Sequence, residues 1–163
     1  MTLPLTVDVT VSAAAWRRLL PDAEAVVRAA AEAAWRAPGN EGGAAEVSVL
    51  LADDETVRAL NRRHRGIDRP TNVLSFPIGT GPGGQPRMLG DVVLADGVVL
   101  REAEEQGKSV PAHVSHLVVH GVLHLLGYDH EAGPDAETME ALEVRTLAGL
   151  GIPNPYDCRE AAE

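Results

Sequence analysis

Apolar and polar residues alternate at the start of the chain and then change to helical spacing. Residues 5–11, LTVDVTV, carry the two-residue period of a first strand. Residues 13–36 are rich in alanine, with apolar residues at helical spacing, and predict one helix. Pro38, Gly39, Asn40 and the Gly42–Gly43 pair close it. Residues 45–51, AEVSVLL, predict a second strand, after which Asp53 or Asp54 can cap a short helix running through Arg63. Residues 72–78, NVLSFPI, predict a third strand, and Pro77 confines it to an edge or a strand end. A Gly/Pro segment, 79–87, leads to a fourth strand over Leu89–Leu94, and helices are expected at 96–106, 109–126 and 135–149. Strands preceding a cluster of helices predict an α+β fold, a single domain over 1–163 with a small, about four-stranded sheet packed against helices.

Composition narrows the class. The chain has 163 residues, 45% of them hydrophobic and 23% charged, which describes one soluble globular domain. Aromatic residues make up only 3%, so valine, leucine and alanine must build the core. A single cysteine, Cys158, excludes an internal disulfide and a cysteine-based zinc site, and fits a reducing compartment. The opening MTLPLTVDVTV lacks the basic start and unbroken apolar run of a signal peptide, and no stretch of membrane-spanning length is apolar throughout. A cytoplasmic protein without membrane association is expected. The formal charge of −10 opposes generic nucleic-acid binding, but it averages over an uneven distribution. Arg58, Arg62, Arg63, Arg65 and Arg69 fall close together around His64.

Chemistry concentrates in His113–His130, HVSHLVVHGVLHLLGYDH, which holds five of the six histidines. His120 and His124 are four apart and share one helix face. Gly127 stands where a helix C-terminal glycine would turn the chain back, and His130 follows that turn. Three imidazoles able to converge, with a fourth position left for water, are the donor set of a catalytic zinc site on a buried metal-binding helix. The zinc peptidase motif places a glutamate next to its first histidine as general base, whereas this chain has Gly121. Metallopeptidase chemistry is therefore disfavoured. Gly79, Gly81 and Gly84 also match a dinucleotide-binding pattern, but a helix must open at the last glycine, and here Pro86 and a strand follow.

Three stretches resemble one family. His120-Gly-Val-Leu-His124-Leu-Leu-Gly-Tyr-Asp-His130 is similar to the zinc signature of the YbeY proteins, bacterial endoribonucleases of rRNA maturation. Arg65-Gly-Ile-Asp68-Arg-Pro70-Thr71-Asn72-Val-Leu-Ser75-Phe76-Pro77 is similar to a second block of that family, and Leu89-Gly90-Asp91-Val-Val-Leu to a third. The likeness spans about residues 45–156. It implies that His120, His124 and His130 hold one zinc per chain, and that Arg65 matches the functionally important arginine. It further implies cleavage of single-stranded RNA in small-subunit rRNA 3′-end maturation and ribosome quality control. The implied partners are the small ribosomal subunit with its rRNA and proteins, and a ribosome-associated GTPase.

The implied roles suit the residue types. A metal with an open position polarises a phosphoryl oxygen or acidifies bound water. A guanidinium, always charged and able to donate two parallel hydrogen bonds, suits the charge that builds on phosphorus, and Arg65, before Gly66 in an expected loop, is the candidate. Arg62, Arg63 and Arg69 are candidate RNA contacts. His116, Asp129 and Asp91 are candidate partners that orient a ligand imidazole, His116 more naturally as a packed neighbour than as a fourth ligand, Asp129 equally as a capping or turn aspartate, and Asp91 more naturally in a structural role. Two other classes compete: another zinc metallohydrolase, and a non-catalytic assembly factor whose zinc locks the helix to the turn.

Overall fold

The alternation at the start of the chain becomes strand β1 (Leu5–Val11), in a computed structural model that describes residues 5–37, 44–78, 87–128 and 133–156. β1 pairs in parallel with β2 (Ala45–Ala52), and β2 pairs in parallel with β4 (Arg87–Ala95). β3 (Val73–Pro77) runs antiparallel to β4 and forms the other edge, so the order is β1-β2-β4-β3. Pro77 is the last residue of an edge strand, where its missing N–H leaves no gap inside the sheet.

The sheet has two unequal faces. Val7, Val47, Val49, Leu51, Val92 and Leu94 join one large core with helices α2 (Ala23–Arg36), α5 (Val110–Leu125) and α6 (Gly133–Gly149). On the opposite face Ala52, Leu74, Val93 and Ala95 meet Val57 of α3 (Asp54–Arg65) in a smaller cluster. Helix α4 (Asp96–Gln106) follows β4 directly and adds Val99 to the large core. The architecture is the expected α+β fold, with four strands among the described residues. The core is not purely aliphatic, however: Trp16 and Trp35 are fully buried, and the Trp16 Nε1–H donates to the Ala52 carbonyl at 2.7 Å.

Two boundaries differ from the sequence reading. The helix expected over 13–36 is two helices, α1 (Ala15–Leu19) and α2. Pro21 causes the break, because its ring disfavours helical geometry at the preceding residue, and Leu20 sits at φ −143° and ψ 76°. Helix α3 starts as expected, with the Asp53 carboxylate accepting from the Thr56 N–H at 2.8 Å. It then runs two residues past Arg63, to Arg65, and stops at Gly66, which takes φ 73°. Arg65 thus belongs to the last turn of a helix rather than to a loop. The glycine-rich stretch with Gly79, Gly81 and Gly84 lies outside the described residues, and the element described after it is strand β4 rather than the helix that a pyrophosphate site requires.

Helix α5 is capped by the Ser109 hydroxyl, which accepts from the Ala112 N–H at 3.2 Å, and Pro111 occupies the first turn, where a missing N–H costs nothing. Gly127 turns the chain at the far end with φ 106°, and the Tyr128 N–H returns to the Leu123 carbonyl at 3.1 Å. Between these ends Gly121 marks the closest approach of α5 to the sheet. A Cβ there would lie 2.9 Å from Val92 Cγ1 and 3.2 Å from Ser75 Oγ. The residue absent from the peptidase motif is therefore the contact that seats the helix. Gly121→Glu should lower stability by about 3 kcal/mol or more, from overpacking plus a buried carboxylate without a partner. Urea denaturation measures this; an unchanged midpoint would mean that α5 does not rest on β3 and β4 at this point.

Candidate metal centre

Helix α5 sets His116, His120 and His124 one turn apart on one stripe, with neighbouring ring centroids 6.4 and 5.4 Å apart. His120 and His124 line a cleft of about 500 Å³. Its other walls are His64 and Arg65 from the end of α3 and residues 71–76 leading into β3. The structure thus brings two of the three proposed metal-binding histidines to the same cavity as Arg65. His130 and Asp129 lie outside the described residues. Among the described residues, no three His, Cys, Asp or Glu side chains are grouped as a metal set.

The ionised partner of these histidines comes from α6. Glu143 has no solvent exposure, and its Oε1 lies 2.9 Å from His120 Nδ1 and 3.2 Å from His116 Nε2. Its Oε2 accepts from the Tyr156 hydroxyl at 2.7 Å. Burial alone would raise the pKa of this carboxyl, but the hydrogen bonds from His116 and His120 outweigh it and bring it down to about 2. An ionised carboxylate only accepts, so both facing ring nitrogens carry hydrogen. For His120 this assigns any metal-binding role to Nε2. His116 is pushed down in pKa, by burial first and against the pull of Glu143, which favours its neutral form. The Tyr156 hydroxyl is pushed up, by burial and by the carboxylate it faces. The sequence reading missed Glu143, although a signal was present: Met139, Leu142, Thr146 and Leu147 form the buried stripe of α6, and Glu143 interrupts it with a charge.

The arginine wall of the cleft is braced from behind. Arg58 grips Asp68 with Nε–Oδ1 at 2.8 Å and Nη2–Oδ2 at 3.3 Å, so it is committed to the loop after α3. The buried Asn61 side chain donates to the Arg69 carbonyl at 2.9 Å. Asn72 Nδ2 donates to Glu102 Oε1 at 3.0 Å, and the same oxygen meets His113 Nε2 at 2.9 Å, joining the loop to α4 and α5. Arg62, Arg63, Arg65 and Arg69 remain on the exposed surface, three of them in the last turn of α3. Asp91 does not line the histidine cleft. Strand alternation turns it to the other sheet face, where it lines a separate groove of about 650 Å³ with Asp8, Thr10, Ser48 and Leu50. The carboxylate against His120 is that of Glu143.

Comparison with known proteins places this geometry in context. Residues 11–151 match the family described as Endoribonuclease YbeY. An Endoribonuclease YbeY of a Bradyrhizobium species is 51% identical over 160 residues, covering 95% of this chain and 94% of the relative. Another, from Paramagnetospirillum magneticum, is 48% identical over 164 residues, covering 96% and 98%. The solution structure of TM1509 from Thermotoga maritima shares the fold, with a TM-score of 0.55 at 24% identity over 90% of this chain and 92% of that one.

The brace behind Arg65 is open to test. Asn61→Ala removes the donor to the Arg69 carbonyl and should cost about 1–3 kcal/mol of stability. Chemical denaturation gives the number, and a loss below about 0.5 kcal/mol would assign the loop geometry to the Arg58–Asp68 pair instead.

Proposed function

This chain belongs to the Endoribonuclease YbeY family, and from that premise we propose that it cleaves single-stranded RNA in the cleft where Arg65 faces His120 and His124. One observation carries the reading: a helix-end arginine and two imidazoles, more than fifty residues apart in sequence, line the same cavity. The family is one of metalloenzymes. The metal proposed here is zinc, one per chain, held by His120, His124 and His130. Imidazole donors suit zinc, and the Glu143 carboxylate on His120 Nδ1 is the kind of partner that metal-ligating histidines have. When bound, such a metal supplies Lewis-acid polarisation of a phosphate oxygen and acidifies its water.

The chain's own residues supply the rest. Arg65 binds the scissile phosphate and stabilises the negative charge that accumulates on its oxygens as the P–O bond to the leaving strand breaks. Arg62, Arg63 and Arg69 attract the flanking phosphates, and Asn61 and Asp68 hold the loop beside Arg65 in place. His116 stays neutral behind His120. Asp129, next to His130, is proposed to steady that ligand's imidazole.

The biological setting follows from the resemblance of the three motif blocks. The proposed substrate is small-subunit rRNA at its 3′ end, processed on the ribosome as part of maturation and quality control. Small-subunit ribosomal proteins and a ribosome-associated GTPase are the proposed partners, and the cytoplasm is the proposed location. Among the described residues no helix is long and apolar enough to cross a membrane. Digestion of ribosome-bound precursor RNA by the purified protein, with and without chelator, tests the proposal through the ends produced. Cleavage that persists after complete metal removal would overturn it.

Two expectations follow for variants. Elemental analysis should find about one zinc per chain, falling sharply in His120→Ala, His124→Ala and His130→Ala but not in His116→Ala. Unchanged metal in the first three would end the assignment. Arg65→Ala should keep metal and fold while lowering single-turnover cleavage at saturating RNA by about 10²–10³-fold. Arg65→Lys should recover only part, because the charge returns without the planar fork. Neutralising Arg62 or Arg63 should instead weaken RNA binding and reduce its salt slope by about 0.7 each. A wild-type rate for Arg65→Ala would reduce Arg65 to a member of the basic surface.

A further inference from the structure

The only fully buried carboxylate among the described residues sits against the candidate metal helix, and its three hydrogen bonds are not arranged equally. Oε1 takes both histidines and Oε2 takes the Tyr156 hydroxyl. Tyr156 lies beyond the end of α6 and is 37% exposed, so the tail reaches inward to fix the second oxygen. With both oxygens engaged, the carboxylate cannot rotate away from His120. A carboxylate with no metal-related task is an expensive way to join two helices whose neighbouring contacts are Met139, Leu142 and Leu147. A leucine at this position would extend that stripe and pack equally well.

We propose that Glu143 is a positioning residue for the metal site: by accepting from His120 Nδ1–H it fixes the imidazole's tautomer and rotation, so that Nε2 faces the metal. This rests on the reading of His120 as a metal ligand. Glu143 touches neither substrate nor metal. It acts through His120 in two ways, by locking the ring and by making it a better electron donor, since a carboxylate on the far nitrogen increases the basicity of the ligating one. His116 shares Oε1 and shields it, while Tyr156 sets its direction.

Glu143→Gln separates this role from simple helix gluing. The glutamine oxygen can still accept from both histidines, and its amide can donate to the Tyr156 oxygen once that hydroxyl rotates, so the packing is preserved and only the charge is lost. Zinc affinity should fall about 10- to 100-fold, measured by competition with a chromophoric chelator, while the metal-free protein stays folded, its unfolding midpoint lowered only by the weakening of charge-assisted hydrogen bonds to neutral ones. The cobalt-loaded variant should show an altered visible absorption spectrum. Unchanged affinity and spectrum in a folded Glu143→Gln would overturn the proposal. Should that variant not fold, the wild type decides: nitrogen NMR at pH 8 on the metal-free protein should show His120 protonated on Nδ1, and protonation on Nε2 would equally overturn it. His120→Ala is measured in parallel. If it binds zinc as tightly as wild type, the reading of His120 as a ligand fails; if it loses zinc while Glu143→Gln does not, only the role of Glu143 fails.

Discussion

Everything in this molecule depends on how α5 is buried. The helix is apolar on most sides, with Val114, Leu117, Val118, Val119, Val122 and Leu123 all enclosed. Each of these contributes about 1.5–3 kcal/mol of transfer free energy, so the helix cannot remain at the surface. The same helix carries four histidines, which resist burial unless they are hydrogen-bonded. Gly121 resolves the conflict on the sheet side, since a residue without Cβ lets the backbone come down onto Val92 and Ser75. Glu143 resolves it on the α6 side by accepting from two of the imidazoles. What is left of the helix surface is the edge with His120 and His124, and that edge opens into the cleft.

A chain of charge −10 proposed to cleave RNA must concentrate its few cations. It does so at the C-terminal turn of α3, where Arg62, Arg63, His64 and Arg65 follow one another. The helix macrodipole favours positive charge at this end, which offsets part of the repulsion among the arginines. Acidic residues elsewhere are screened beyond a Debye length of about 8 Å, so the phosphate meets the local field and not the average. Arg58 lies in the same run but serves another purpose, because Asp68 and Glu55 engage it. A run of like charges in sequence is thus divided in space into a brace and a surface.

The parts of this structure legible in sequence were those governed by local rules. Alternation located β1 and β2, Asp53 announced its helix, and Pro77 fell at the end of an edge strand. The break before α2 was also local, since Pro21 was visible, but the alanine-rich periodicity around it masked the signal. Glu143, and the face that Asp91 takes, were beyond local reasoning. Which face a strand residue takes depends on the strand's bulge and register, and β4 shifts register between Met88 and Gly90 against β2. Which helix packs behind the histidines depends on the tertiary arrangement of α6. A charged residue in a buried stripe was the available trace of Glu143, and its meaning required knowing what it faced.

The hydrogen bonds also join the two halves of the cleft. The loop after α3 is held to its own helix by Asp68 and by the Arg69 carbonyl, and Asn72 carries it through Glu102 to His113 at the start of α5. His113 and Asn72 together outweigh burial and keep Glu102 ionised, which strengthens both bonds to it. The arginine wall and the histidine wall are therefore ends of one braced unit rather than two elements meeting across water. That matters because a displacement of about 1 Å in a reacting geometry can cost a hundredfold in rate. The arginine side chain itself stays long and exposed. Its base, the last helical turn before Gly66, is fixed, so the freedom left to settle on RNA binding is that of one side chain and not of a loop.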